Sequence, residues 1–315
     1  MVASYRFSRR GFSEDYSHDL PPCAETGAAS FLRFRPNCRE QQRSPQGRVD
    51  FITNEDGLRD LPKELLLSLP NRVLLLGDSL VEGYWLREDQ AIHSRLRELE
   101  PHHYFINGGL RGSGPLFQAR RLPELIGGYQ PQEVITVLNE TDITDDQLAC
   151  AVAKDSSADP RAWEFENINR APSWPERALG TVFRGTKFEA RIVDFFAARR
   201  LNALIAGGAG KPCDPCAGLK SLKSSADAAK VQFRALVVDR GASAARELAA
   251  PAAAIETLQE CLRELRVPFF AIRFEDFTPA EENKYLWGAE KFLNPLGVQY
   301  WAGKIHEAGA PLARN

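Results

Sequence analysis

The chain has 315 residues, of which 43% are hydrophobic and 10% aromatic, and its 40 Lys+Arg and 42 Asp+Glu give a net charge of −2. This apolar content is enough for a packed core and excludes collagen-like and wholly disordered chains. The balanced charge argues against a nucleic-acid partner, because phosphate binding needs an excess of basic residues. No run reaches the ~18–20 apolar residues of a transmembrane segment, and the first residues lack the apolar core of a signal peptide.

The predicted elements begin after residue 50. Residues 1–50 mix Arg, Ser, Pro and Gly with little periodicity and are predicted to form an irregular arm, followed by one domain over residues 51–315. Short apolar runs predict five strands, at residues 72–76, 104–106, 133–138, 233–238 and 268–272. Helical spacing predicts helices between them, at residues 89–99 (capped by Asp89), 116–126 and 253–265.

This alternation of strands and helices predicts a doubly wound three-layer α/β/α sandwich around a mainly parallel five-stranded sheet. Residues 150–225 have no counterpart in that layout and are interpreted as an insertion. Within it, a helix at residues 182–205 would carry Phe188 on its apolar face and basic residues around it. Such a helix can bind a protein partner or lie on a membrane surface, and the alternative is ordinary packing against the sheet.

The cysteines are scattered along the chain, unlike the dense pattern of small secreted disulfide domains. We therefore expect reduced thiols. The lack of a predicted transmembrane run or signal peptide leads us to expect a cytoplasmic location. Cys213 and Cys216 have the spacing of zinc and redox sites, but no second Cys-x-x-Cys or His pair completes a structural zinc site. The expectation is a loop without metal, with Cys23 and Cys38 as the alternative source of two further ligands. No cofactor is indicated.

The informative segment is Gly77-Asp78-Ser79-Leu80, which directly follows the first predicted strand. In an open parallel sheet, ligands bind at the carboxyl ends of the strands, so Ser79 is expected where a site belongs. A serine that opens a helix also has its hydroxyl beside free backbone N–H groups, which can stabilise an oxyanion. The alternative is a simple helix cap.

These four residues resemble the nucleophile block of the GDSL or SGNH hydrolase family, whose members cleave esters on lipids, carbohydrates and thioesters with a three-layer α/β/α fold. Residues 107–114 are similar to the family's second block, and the resemblance places its oxyanion-hole glycine at Gly112. Residues 54–60 resemble the lead-in segment of many bacterial members.

The third block of the family resembles Asn139-Glu140-Thr141-Asp142. Asp142 matches, but Thr141 stands where the family has its oxyanion-hole asparagine. Asn139 and the Thr141 hydroxyl are therefore the candidates to replace that donor.

Residues 292–297 resemble the last block, which normally carries Asp-x-x-His. Phe292 stands at the position of the histidine and Ala289 at that of the aspartate. A serine hydroxyl is a weak nucleophile without a neighbouring base, so this departure puts catalysis in doubt. Asp78, Asp142, Phe292 and Asn294 are expected to line the site.

None of the five histidines is expected at the position of the missing base. His102 and His103 precede the second strand, His93 is expected several turns down a helix, and His306 lies in the terminal helix. Only His18 has an open position. Glu290, Lys284 and Lys291 are alternative bases, because Ser-Lys variants of the triad exist.

Two functional hypotheses follow. The first is a non-hydrolytic protein that keeps Ser79 and Gly112 and binds an acyl ester, a carbohydrate, a lipid-like ligand or a partner protein. The second is an active ester hydrolase or O-acyltransferase that uses Ser79 with a non-standard base.

Overall fold

The computed structural model describes residues 23–26, 32–153, 213–239, 253–273, 284–287 and 292–307. The helix predicted at residues 182–205 lies outside the described residues. So do His18, Ala289, Glu290 and Lys291.

The strands are β1 (Ala24–Thr26), β2 (Leu32–Phe34), β3 (Arg39–Ser44), β4 (Gly47–Ile52), β5 (Arg72–Leu76), β6 (Tyr104–Asn107), β7 (Glu133–Asn139), β8 (Gln232–Asp239), β9 (Phe269–Arg273), β10 (Leu286–Trp287) and β11 (Phe292–Leu293). The helices are α1 (Lys63–Ser68), α2 (Ser79–Glu82), α3 (Ile92–Leu99), α4 (Pro115–Tyr129), α5 (Asp142–Ala153), α6 (Ala217–Ala229), α7 (Ala254–Glu264) and α8 (Pro295–Glu307). A 3₁₀ turn at Glu88–Gln90 precedes α3.

Strands β5 to β9 form one sheet in the order β6–β5–β7–β8–β9. Every neighbouring pair in it is parallel. The strand order reverses direction between β5 and β7, and the carboxyl ends of these two strands are where an open parallel sheet binds ligands.

Alternate residues of the central strands face two separate hydrophobic clusters. Leu74 and Leu76 of β5 pack with residues of α4, α6 and α7. Val73 and Leu75 pack on the opposite face with residues of α2, α3 and α8. Because successive side chains of a strand point to opposite faces, this division makes three layers. The predicted α/β/α sandwich is confirmed.

The five predicted strands agree with β5 to β9 to within a residue at each end, because strands buried on both faces have continuous apolar runs. The predicted cap is wrong. Asp89 lies in the 3₁₀ turn, where it binds the side chain of Arg87, and α3 begins after Ala91.

The prediction that residues 1–50 are irregular is also wrong for the part that the structure describes. Strands β3 and β4 pair antiparallel from Arg39 with Ile52 to Ser44 with Gly47, so the expected boundary at residue 50 falls inside a strand. Val49 and Phe51 of β4 are buried. Strands β1 and β2 form a further two-stranded sheet.

The chain divides into two compact units. The larger unit, residues 34–146 and 214–315, contains the five-stranded sheet and both of its helical layers. The smaller unit comprises residues 1–33 and 147–213. Its internal stretch overlaps the predicted insertion, whose expected end at residue 225 instead falls inside α6.

The expectation of reduced thiols is wrong. Cys150 is bonded to Cys213 and Cys216 to Cys261, and Cys23 and Cys38 are disulfide-bonded as well. All six cysteines lie in the described residues, and none of them is free. Among the described helices, none is both long and apolar enough to cross a membrane.

Candidate active site

Ser79 follows the buried strand β5 after a two-residue turn. Asp78 caps α2, and its carboxylate accepts a hydrogen bond from the backbone N–H of Leu80 at 2.9 Å. Ser79 is the first residue of the helix and is half-buried. No described residue forms a hydrogen bond with its hydroxyl or its backbone N–H. The hydroxyl and the N–H of Ser79 therefore both keep their hydrogen-bonding capacity.

The loop at residues 110–113 is fixed against the residue two positions before Ser79. The carbonyl of Gly77 accepts hydrogen bonds from the backbone N–H of Leu110 and from the hydroxyl of Ser113, each at 2.9 Å. The N–H of Ser113 in turn donates to the carbonyl of Leu110 at 3.1 Å. These bonds tie the second sequence block directly to the first.

Gly112 differs from its neighbours in this loop because its backbone N–H has no acceptor among the described residues. It is buried and has a φ of 63°, a left-handed conformation that favours glycine. The N–H groups of residues 110, 111 and 113 each have an acceptor, whereas no described residue accepts from the N–H of Gly112. Since buried backbone donors are almost always paired, this N–H is available to a bound oxygen atom.

The segment after β6 also needs a glycine at position 109. A Cβ placed on Gly109 would lie 2.2 Å from the backbone nitrogen of Glu82 in α2. Glycine therefore permits the backbone after β6 to approach the helix that begins at Ser79.

The side chains of the third block form hydrogen bonds with one another and with Asp78. Asn139 is fully buried, and its side-chain amide donates to Oδ2 of Asp78 at 3.1 Å. Its Oδ1 accepts from the backbone N–H and the hydroxyl of Thr141, at 3.0 and 2.8 Å. These bonds hold the predicted oxyanion donors Asn139 and Thr141 beside the turn that precedes Ser79.

Asp142 is buried behind this network instead of lining an open surface. Its Oδ2 accepts from the backbone N–H of Asn139 at 2.6 Å, and its Oδ1 has no hydrogen-bond partner among the described residues. Burial raises the pKa of Asp142 well above its usual range, and the nearby carboxylate of Asp78 raises it further. Burial therefore favours the protonated form of Asp142 more than water favours that of an exposed aspartate.

The last block has a structural cap where a lining residue was predicted. Oδ1 of Asn294 accepts from the N–H of Gly297 at 2.9 Å, and its Nδ2 donates to the carbonyl of Lys284 at 2.7 Å. Asn294 thus caps α8 and holds the short strand pair β10–β11. The backbone of Phe292 pairs with Trp287 in that strand pair, and the structure does not describe its side chain.

None of the described histidines forms a hydrogen bond with Ser79. His93 is at the start of α3, not several turns along it as predicted, and its ring nitrogens contact Glu88 at 2.5 Å and Asn107 at 3.2 Å. His306 contacts Glu100 at 2.5 Å. His102 and His103 precede β6 at its amino end, as predicted. Lys284 is exposed and lies over the ring of Tyr285.

The sequence analysis missed four charged residues that brace the site. Arg59 is almost fully buried, and its guanidinium donates to the carbonyls of Glu82, Gly83 and Leu86, which follow Ser79. Asp60 accepts from the backbone N–H of Asn107 at 2.8 Å and from Arg97. The other two residues, Glu82 and Arg111, form an ion pair. For Arg59 and Asp60, the sequence signal was the resemblance of residues 54–60 to the family's lead-in segment, and that resemblance did not assign a role to either side chain.

One group of possible metal ligands occurs among the described residues. Ligand atoms of Asp60, Glu88 and His93 lie within 4.8 Å of one another. Arg97 binds Asp60 at 2.7 Å, however, and Arg59 lies 3.4 Å from Glu88, so the two carboxylates are already neutralised. The donor set fits an ion-pair network and not a divalent cation site. The sulfurs of Cys213 and Cys216 are bonded to other cysteines and cannot act as zinc thiolates.

Comparisons with known proteins give structural likenesses alone. No family model matches the chain, and neither does any curated protein. Among solved structures, the psychrotrophic esterase EstA from Pseudoalteromonas sp. matches with a TM-score of 0.46 and 12% identity, over 78% of this chain and 100% of that chain. A putative lipolytic protein of the G-D-S-L family from Desulfitobacterium hafniense matches with a TM-score of 0.38 and 10% identity, over 77% of this chain and 99% of that chain.

A lipase/acylhydrolase from Enterococcus faecalis has a TM-score of 0.39 and 14% identity, over 78% of this chain and 98% of that chain.

Proposed function

We propose that the chain binds the carbonyl group of an acyl ester, such as an acylated carbohydrate or a lipid-like ester, at Ser79 and Gly112 without hydrolysing it. The observation that carries the proposal is the pair of backbone N–H groups at these residues, neither of which has an acceptor among the described residues. The Ser79 donor follows the turn after β5, and the Gly112 donor lies in a loop that is hydrogen-bonded to Gly77. Two backbone donors of this kind can bind one carbonyl oxygen.

The lack of a base supports binding over hydrolysis. Transfer of the serine proton needs a basic group within hydrogen-bond reach of the hydroxyl. No described residue provides that contact, and the described histidines that have ring partners bind Glu88, Asn107 and Glu100 instead. Phe292 occupies the sequence position at which the family resemblance expects the catalytic histidine.

An active ester hydrolase or O-acyltransferase is the second candidate. It is favoured by a specific observation, namely that the Gly112 loop keeps a free N–H while its other N–H groups are paired. Such an arrangement is what stabilisation of an oxyanion requires. In this second candidate the base could be His18, Glu290 or Lys291, which lie outside the residues that the structure describes.

The disulfides support a proposal about the cellular location. Disulfides persist in oxidising compartments and are rare in the cytosol. Because all six cysteines are disulfide-bonded, we propose an oxidising compartment in place of the cytoplasmic expectation. Counting free thiols in protein isolated under non-reducing conditions tests this, and six reactive thiols would contradict it.

The function is tested by measuring binding and turnover in the same sample. ¹⁵N-labelled protein is titrated with ethyl butyrate while the amide resonance of Gly112 is followed, and released butyrate is quantified from the same tube. We expect the Gly112 resonance to shift on titration, with no butyrate released, and Ser79→Ala to retain the shift. Release of butyrate that disappears in Ser79→Ala would overturn the non-hydrolytic proposal in favour of the second candidate.

A further inference from the structure

Glu82 lies in α2, three residues after Ser79, and its side chain is fully buried. A buried carboxylate is costly unless donors surround it, so its partners identify its role. All the hydrogen bonds of this carboxylate come from Arg111, the residue immediately before Gly112.

Three hydrogen bonds connect these two residues. The backbone N–H of Arg111 donates to Oε2 of Glu82 at 2.7 Å. Its guanidinium donates to the same oxygen at 3.1 Å through Nε and to Oε1 at 2.5 Å through Nη2. The bidentate pair fixes the side chain, and the third bond fixes the backbone of the loop.

Neighbouring groups hold both partners in place. Arg59 donates to the carbonyl of Glu82 at 3.1 Å, which restrains the backbone of α2. The Arg111 guanidinium lies 4.5 Å from the ring centre of Tyr84 and 5.6 Å from that of Phe51. Aromatic rings at these distances attract the cation and leave the guanidinium little freedom to turn away from Glu82.

We propose that Glu82 is a positioning residue that aims the N–H of Gly112 at the ligand carbonyl. Glu82 acts through Arg111. Its carboxylate accepts a hydrogen bond from the backbone N–H of Arg111 and so fixes the backbone of that residue. The N–H of Gly112 belongs to the next peptide group, whose orientation depends on that backbone. The inference rests on the proposed function for its ligand, but the position of the Gly112 amide can be read without any ligand.

The test compares Glu82→Gln with Glu98→Gln. Glu98 forms an ion pair with Arg95 on the exposed surface of α3, so the control makes the same chemical change in a pair with no connection to the site. The readouts are the Gly112 amide resonance and its hydrogen-exchange rate in ligand-free protein, and the affinity for ethyl butyrate.

Glu82→Gln is expected to shift the Gly112 resonance, to speed its exchange, and to weaken ethyl butyrate binding by about tenfold, as for loss of one charged hydrogen-bond partner. Glu98→Gln should leave all three unchanged. An unchanged Gly112 resonance and exchange rate in folded Glu82→Gln would overturn the proposal, even if the variant were less stable.

Arg111→Lys covers the case in which Glu82→Gln does not fold. Lysine keeps the charge but loses the bidentate contact that holds the Glu82 carboxylate against the backbone N–H of residue 111, so we expect a smaller Gly112 shift in the same direction and binding weakened by about threefold. No shift in Arg111→Lys would also overturn the proposal. If the wild type binds no ethyl butyrate, the proposed function fails, while the ligand-free Gly112 readouts still decide the role of Glu82.

Discussion

The side-chain amide of Asn139 donates to the carboxylate of Asp78 at 3.1 Å, with both residues buried. This bond joins the end of β7 to the residue that precedes Ser79. The two strand ends at which an open parallel sheet binds ligands are therefore linked by a side-chain contact, and the asparagine of the third block braces the serine turn.

Replacing Asn139 with alanine is expected to lower the free energy of unfolding by about 1–3 kcal/mol, because Asp78 and Thr141 lose a buried partner. Urea unfolding measures this loss. Gln41→Ala, which removes an exposed amide bond to Asp50, should cost less than about 0.5 kcal/mol. Equal losses in the two variants would contradict the role given to Asn139.

Asp142→Asn is expected to flatten the pH dependence of stability. A carboxyl whose pKa is raised in the folded state stabilises the fold at low pH, and this contribution is lost as the pH rises through the folded pKa. As the pH rises above the ordinary pKa of an aspartate, about 4, wild-type stability should therefore fall more than that of Asp142→Asn in urea unfolding.

Asp50→Asn is the control for Asp142. Arg39 lowers the pKa of this exposed carboxyl, so it titrates below that pH and its removal should leave the wild-type slope unchanged. A slope in Asp142→Asn as steep as that of the wild type would count against a raised pKa of Asp142.

Removing the Cys216–Cys261 disulfide, whose half-cystines are 45 residues apart and buried, is expected to cost about 2–4 kcal/mol. Cys216→Ala with Cys261→Ala keeps the sites apolar, and unfolding is compared with and without a reductant. The Cys150→Ala/Cys213→Ala variant is the control and should still lose stability on reduction. If reductant leaves the unfolding curve of the wild type unchanged, the disulfide does not stabilise the fold.

Phe292→His combined with Ala289→Asp is expected to restore measurable hydrolysis of short acyl esters, because the N–H groups proposed to bind the carbonyl, at Ser79 and Gly112, have no acceptor among the described residues. The gain should exceed about tenfold over the wild type with p-nitrophenyl acetate. Phe292→Gln combined with Ala289→Asp is the matched control, since glutamine supplies no base. No gain with histidine would mean that more than the base is missing.

The sheet could be predicted from sequence because each of its strands is a continuous apolar run between helical patterns. The β3–β4 hairpin could not, since β3 is polar throughout and only Val49 and Phe51 of β4 mark a buried face. The disulfides also escaped prediction, because their partners are 45 and 63 residues apart in sequence.

The site was predictable only where a short motif carried it. Ser79 and Gly112 follow from the local blocks and lie at the expected ends of β5 and β6. The roles of Glu82 and Arg59 could not be predicted from the sequence, because their hydrogen-bond partners are tens of residues away and a charged residue is usually exposed.

The most direct test of the central claim is intact-protein mass spectrometry after incubation with a fluorophosphonate probe, for wild type and Ser79→Ala over roughly pH 6 to 9. The account predicts that each protein keeps its own unmodified mass, because no described residue activates the Ser79 hydroxyl as a base. A probe adduct on the wild type that is absent from Ser79→Ala would contradict it and identify Ser79 as an active nucleophile.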